Sequence, residues 1–101
     1  MTYRVTITAE AAREYEQIVS YLSDVLKSRQ AAKGFADEFA HQLENVREDP
    51  EIHALSQMPE LATRGYRTLF VNRYVALYKI VGQEVVIAHV FHQSQDYAKL
   101  I

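Results

Sequence analysis

Residues 64–97, RGYRTLFVNRYVALYKIVGQEVVIAHVFHQSQDY, decide how this chain folds. Residues 66–71 are rich in β-formers, and Asn72-Arg73 then offers a tight turn, because asparagine tolerates a positive φ. Residues 74–80 predict a second strand, Gly82-Gln83 a second turn, and residues 84–91 a third and more apolar strand. Turns this short imply an antiparallel meander. The stretch ends in a polar cluster of His92, Gln93, Ser94, Gln95, Asp96 and Tyr97. Beyond it, Tyr97, Leu100 and Ile101 are expected to dock as a short terminal turn.

Upstream, the pattern changes twice. Tyr3, Val5 and Ile7 alternate with Thr2, Arg4 and Thr6, the period of a strand with one buried face. Thr8 stands where a helix N-cap belongs, and Glu10 suits the positive helix start. Ala12, Tyr15, Ile18, Val19, Leu22, Val25 and Leu26 then recur at helical spacing, predicting one amphipathic helix over residues 9–26. Ser28 is a second cap. Ala32, Phe35, Phe39, Leu43 and Val46 mark another apolar stripe, which Pro50 ends. Two helices with a short link pack antiparallel. These stripes are core rather than a ligand box. Residues 51–63, with Pro59, read as a loop pinned by Leu55, Met58 and Leu61. The expected fold is α+β: an N-terminal strand, an antiparallel helical hairpin and a three-stranded antiparallel meander in one sheet.

At 101 residues the chain suffices for one core and one domain, residues 1–101. Its 49% hydrophobic and 24% charged residues exclude a disordered class. With no cysteine, disulfides and thiolate metal sites are excluded. The start MTYRVTITAE lacks the features of a signal peptide, and no apolar run suggests a membrane span, so a cytoplasmic protein without membrane contact is expected. Net charge is −2 but divided: residues 1–63 hold 6 Lys/Arg against 11 Asp/Glu, and residues 64–101 hold 5 against 2. The meander is the basic part and is the side to which an anionic partner is drawn. The excess is small for a nucleic-acid binder, whose affinity rests on phosphate neutralisation.

Chemistry by residue type narrows quickly. His89 and His92, three apart on a strand, point to opposite faces, and no HExxH or paired-carboxylate pattern accompanies them, so no metal is expected. A GxSxG elbow and a Gly-rich phosphate loop are both missing. What remains is basic and aromatic: Arg64, Arg67, Arg73, Tyr74, Lys79, His92 and Tyr97. Arginines hold phosphates and rings stack on bases, so this set suits RNA. A metal-free ribonuclease needs a base, an acid and cations for the charged phosphorane, and His92 is a candidate base or acid because histidine's reference pKa lies near neutrality. The plainer reading makes them solvated strand residues, with tyrosines packed at the sheet margin.

Strand, helical hairpin, loop and meander in this order resemble the RelE/ParE superfamily of toxins from bacterial type II toxin–antitoxin modules. The matching segments are YRVTITAEAAREYEQIVSYL, the Pro50 and Pro59 punctuation, RGYR, NRYVALYKI and VVIAHVFHQSQDY, almost end to end. The resemblance implies one of two activities. RelE-like members cleave mRNA in the ribosomal A site with clustered Lys and Arg and a C-terminal Tyr or His. ParE-like members inhibit DNA gyrase and need no nuclease site. Both are silenced by a cognate antitoxin whose segment wraps the toxin, and neither uses a cofactor.

If the chain is a nuclease, the resemblance makes Arg67, His92 and Tyr97 its catalytic candidates. His92 and Tyr97 would move protons or stack, and Arg64 would join Arg67 on phosphate. The wider binding set is Arg64, Arg67, Arg73, Tyr74 and Lys79. The pattern departs from the nuclease branch at three points. Ser94 stands where an arginine is common, Val75 follows Tyr74 where that branch has arginine, and YRTLFV replaces a lysine-rich strand. Gyrase inhibition is therefore the leading expectation and ribosome-dependent mRNA cleavage the alternative. A partner-binding module without toxicity is the third.

Overall fold

The meander forms as its turns dictate. In a computed structural model that describes residues 2–100, without the side chain of Ala98, β2 (Arg67–Val71), β3 (Tyr74–Val81) and β4 (Glu84–His92) run antiparallel in sequence. Asn72 and Gly82 open the two connecting turns with left-handed φ values of 55° and 60°, which asparagine and glycine adopt most readily. β1 (Arg4–Ile7) pairs parallel with β4, giving the order β1-β4-β3-β2. The sheet is thus mixed, with the first strand laid beside the last.

α1 (Ala9–Ser20) begins at Thr8, whose hydroxyl accepts the Ala11 N–H at 3.1 Å. α2 (Arg29–Glu48) begins at Ser28 in the same way, through Ala31. Two details depart from the expected stripe. Ala11 is buried and Ala12 exposed. The first helix also widens into a π turn over Tyr21–Val25, closed by the Leu26 N–H on the Tyr21 carbonyl. That i to i+5 bond advances the chain past the α phase. Val25 and Leu26, expected to face the core, are therefore 64% and 52% exposed. Lys27, at φ 53°, ends the turn, and the Ser28 N–H returns to the Leu22 carbonyl, one residue wider than a Schellman closure.

The helix side of the sheet is buried, and its outer side is covered in part, with Phe70 left 54% exposed. On the helix side Phe35, Phe39, Leu69, Val71, Tyr78, Ile87 and Val90 form the main core. On the outer side Leu61, Tyr66, Val75, Leu77, Phe91 and Tyr97 form a second cluster. Its lid comes partly from residues 51–63, expected as plain loop. Their last five, Pro59–Thr63, are a short helix α3 with Pro59 in its first turn, where a missing N–H costs nothing. Of the expected pins, Leu61 is fully buried and Met58 packs at the cluster's edge, whereas Leu55 is exposed. The rest of the lid is the turn Tyr97–Lys99; Leu100 is exposed and Ile101 lies outside the described residues.

A bulge sets the last strand's faces. Tyr78 pairs with Ile87 but Leu77 with His89, so Ala88 is an extra residue. Val85 and Ile87 face the helices before it, and Val90 does so after it. A bulge re-aims the side chains beyond it by one step, which turns His92 toward the helices. No helix among the described residues is long and apolar enough to cross a membrane.

Candidate functional site

A groove of about 1020 Å³ runs between the helical hairpin and the end of the sheet where β3 begins and β4 ends. Ile18, Leu22, Phe35 and Val90 give it an apolar floor, and Tyr21 and Leu26 stand exposed at its helical rim. The opposite rim is polar: Asn72, Arg73, His92, Ser94 and Gln95. The Gln93 N–H on the Arg73 carbonyl, 2.9 Å, ties the segment after β4 to the β2–β3 turn.

His92 is the most constrained group of this rim. Tyr74 meets its ring edge-on at 5.2 Å and itself packs on Phe35 at 5.1 Å. Burial, then the neighbouring Tyr21, pushes the Tyr74 hydroxyl above its ordinary pKa, so it stays neutral. The Ser94 backbone N–H donates to His92 Nδ1 at 3.1 Å, and the Ser94 hydroxyl lies 2.6 Å from the same atom. A backbone N–H only donates, so Nδ1 must carry the lone pair. In the neutral ring the proton is then on Nε2. In this form His92 offers a donor at Nε2.

The other candidates are distributed elsewhere. Arg73 and Tyr74 share the groove with His92. Arg64 and Lys79 lie against the ring of buried Tyr66, at 5.5 and 4.4 Å from its centroid, beside the outer cluster. Tyr97 is also in that cluster, stacked on Phe91 at 6.0 Å and only 7% exposed. Phe91 and His92 are successive strand residues, so Tyr97 and His92 serve opposite faces. Arg67 pairs with Tyr78, four residues along from the Val71–Tyr74–His92 row, about 13 Å away by strand rise alone. Its guanidinium donates to the His53 carbonyl at 2.6 Å.

Around Arg67 lies a polar knot that holds the chain leaving α2. Tyr78, fully buried, donates its hydroxyl to the Pro50 carbonyl at 2.7 Å. Burial pushes this phenol up to about 12, against the opposing pull of Arg67. His53 meets the Tyr78 ring edge-on at 6.3 Å, and its buried Nε2 has no partner among the described residues. Burial lowers the His53 pKa.

Sequence reasoning passed over Glu14. Its carboxylate accepts the Val90 N–H at 2.9 Å and lies 3.3 Å from His89 Nδ1, at the groove's edge. Its spacing from Ala11 and Ile18, three and four residues, was the available signal that it borders the apolar stripe. No group of His, Asp and Glu among the described residues is arranged to hold a metal.

Comparison with known proteins places this geometry in context. The family model described as ParE toxin of type II toxin-antitoxin system, parDE, matches residues 5–97. The fold is similar to a solved structure described as the chromosomal ParDE TA system from P. aeruginosa, with TM-score 0.71, 20% identity, and 90% of this chain and 96% of that one covered. It is also similar to a chain of the toxin-antitoxin complex RelBE2 from Mycobacterium tuberculosis, with TM-score 0.62, 23% identity, and coverage of 91% and 99%. Comparison with curated proteins by sequence finds no match.

Proposed function

Since the chain belongs to the ParE toxin family and is the toxin of a type II toxin–antitoxin system, we propose that it arrests growth by binding DNA gyrase, without cutting RNA. The observation that carries this reading is the separation of Arg67, His92 and Tyr97. A general acid–base pair must lie within hydrogen-bond reach of one substrate. Here Arg67 braces a loop, Tyr97 is stacked in the outer cluster, and His92 faces the groove. The Nε2–H form of His92 also lacks a lone pair at Nε2 with which to take a 2′-proton. As a donor on a groove rim it suits recognition.

The groove itself is the proposed seat of a cognate antitoxin segment. Its apolar floor and polar rim suit an amphipathic segment whose apolar side meets Ile18, Leu22 and Phe35. Arg73 and His92 then select its polar side. Antitoxin capture and target binding need not share residues, and Arg64 with Lys79 on Tyr66 remain available for the latter.

The test is induction in cells, with gyrase–DNA cleavage complexes and fresh mRNA ends measured together. Trapped gyrase complexes and a DNA-damage response, without codon-periodic mRNA ends, are expected. Codon-periodic cleavage with gyrase untouched would replace this reading by the RelE-like one. Full expression without growth arrest would leave a partner-binding module.

A further inference from the structure

We propose that Glu14 is the positioning residue of the groove's sheet wall, a role that rests on the groove's being the partner-binding site. The pairing of β1 with β4 ends at Ile7 and Ile87. From Ala88 onward no strand among the described residues lies beside the edge of β4, and Thr8, Glu14 and Gln95 close it in turn. The Thr8 N–H meets the Ile87 carbonyl at 3.1 Å, and the Thr8 hydroxyl donates to the Ala88 carbonyl at 3.0 Å. Glu14 Oε1 then accepts the Val90 N–H at 2.9 Å, and Gln95 Oε1 accepts the His92 N–H at 2.8 Å.

Glu14 is the member of this series that reaches from a separate helix to the groove. Its second oxygen lies 3.3 Å from His89 Nδ1, so one carboxylate fixes two successive residues just before Phe91 and His92. Glu10 also approaches His89, but at 3.8 Å and mostly in solvent. Glu14 is only 22% exposed. A carboxylate held that far from water is stabilised by charge-assisted bonds. An edge without such partners frays or accepts a foreign strand. Holding Val90 therefore holds the rim residues His92, Ser94 and Gln95 in the register that faces the hairpin.

The substitutions separate this role from general stability. Glu14→Ala removes both contacts. Glu14→Gln keeps an oxygen for Val90 and places an amide N–H where it can donate to His89. Amide exchange is followed in the isotope-labelled full chain at Val90 and His92, with Val75 in β3 as reference. Glu14→Ala is expected to speed exchange at both sites by about ten- to a hundredfold relative to Val75, the loss of one bond to a charged acceptor. Glu14→Gln should stay within about threefold of the parent, because its neutral acceptor still closes the edge. Where Glu14→Ala fails to fold, Glu14→Asp, one methylene too short, replaces it. Unchanged exchange at Val90, uniform acceleration across β3 and β4, or no rescue by Gln would each overturn the proposal. Growth arrest and its relief by the co-expressed antitoxin are scored on the same variants. If exchange behaves as expected but antitoxin relief is unaffected, the groove reading falls and the structural role of Glu14 stands.

Discussion

Arg67→Ala separates a catalytic arginine from a structural one. The guanidinium donates to the His53 carbonyl at 2.6 Å in a half-buried setting, joining the start of β2 to the segment that leaves α2. A hydrogen bond from a charged donor contributes about 1.5–3 kcal/mol, and partial exposure places this one near the low end, at about 1.5 kcal/mol. For a domain of this size that lowers the melting midpoint by about 6–12 °C. Equilibrium urea unfolding at neutral pH gives the free energy directly, and an unchanged slope shows that the same surface is exposed. Arg67→Lys retains a donor but not the planar fork, and should fall between the two. Growth arrest should persist in all three proteins at low temperature, because the folded fraction stays high. A catalytic arginine behaves oppositely, with stability within about 0.5 kcal/mol of the parent and arrest abolished. That pair of results would refute the reasoning.

The same knot predicts more. Tyr78→Phe strands the buried Pro50 carbonyl and should cost about 1–3 kcal/mol in urea unfolding; a smaller loss would mean that water reaches it. His53 titrates below its ordinary range in the folded state, so the unfolded chain binds the extra proton first. Stability is therefore complete above the unfolded pKa, about 6.5, and declines as pH falls through it toward the folded value. His53→Gln should flatten that decline in thermal melts taken between pH 7 and 5, and an unaltered slope would exclude His53 as its source. Tyr97→Phe should leave both stability and growth arrest intact, since its hydroxyl makes no hydrogen bond among the described residues; lost arrest in a folded protein would return Tyr97 to the chemistry. Leu26→Ser at the groove's rim should stay within about 0.5 kcal/mol of the parent yet weaken antitoxin capture in a pull-down.

Much of this was legible before the structure. Asn72 and Gly82 announced the meander, Thr8 and Ser28 the helix starts, and period-two alternation the first strand. Arg67 carried a readable warning as well, because it shares parity with Leu69 and Val71 and must face the core side. Other features leave no local trace. In VVIAHVF every residue but His89 is apolar or small, so a bulge at Ala88 changes no pattern. The π turn preserves apolar residues at helical spacing while turning Val25 and Leu26 outward. The outer cluster joins Leu61 to Phe91 and Tyr97 across 30 and 36 residues, a contact that only the closed sheet creates.

The parallel pairing of β1 with β4 also bears on the protein's birth. Among the described residues, 4–7 pair in the sheet only with a strand beginning 80 positions downstream at Glu84. Contacts so distant along the chain form late, after the entropy of a long loop has been surrendered. The groove is likewise built from both halves, Ile18 and Leu22 on one wall and Val90 and His92 on the other. During translation the helical hairpin emerges before the meander it packs on, and the groove's second wall is complete only when the final strand has left the ribosome. A cell making this toxin therefore has an interval, as long as the synthesis of the last strands, in which the poison exists as sequence but not yet as surface.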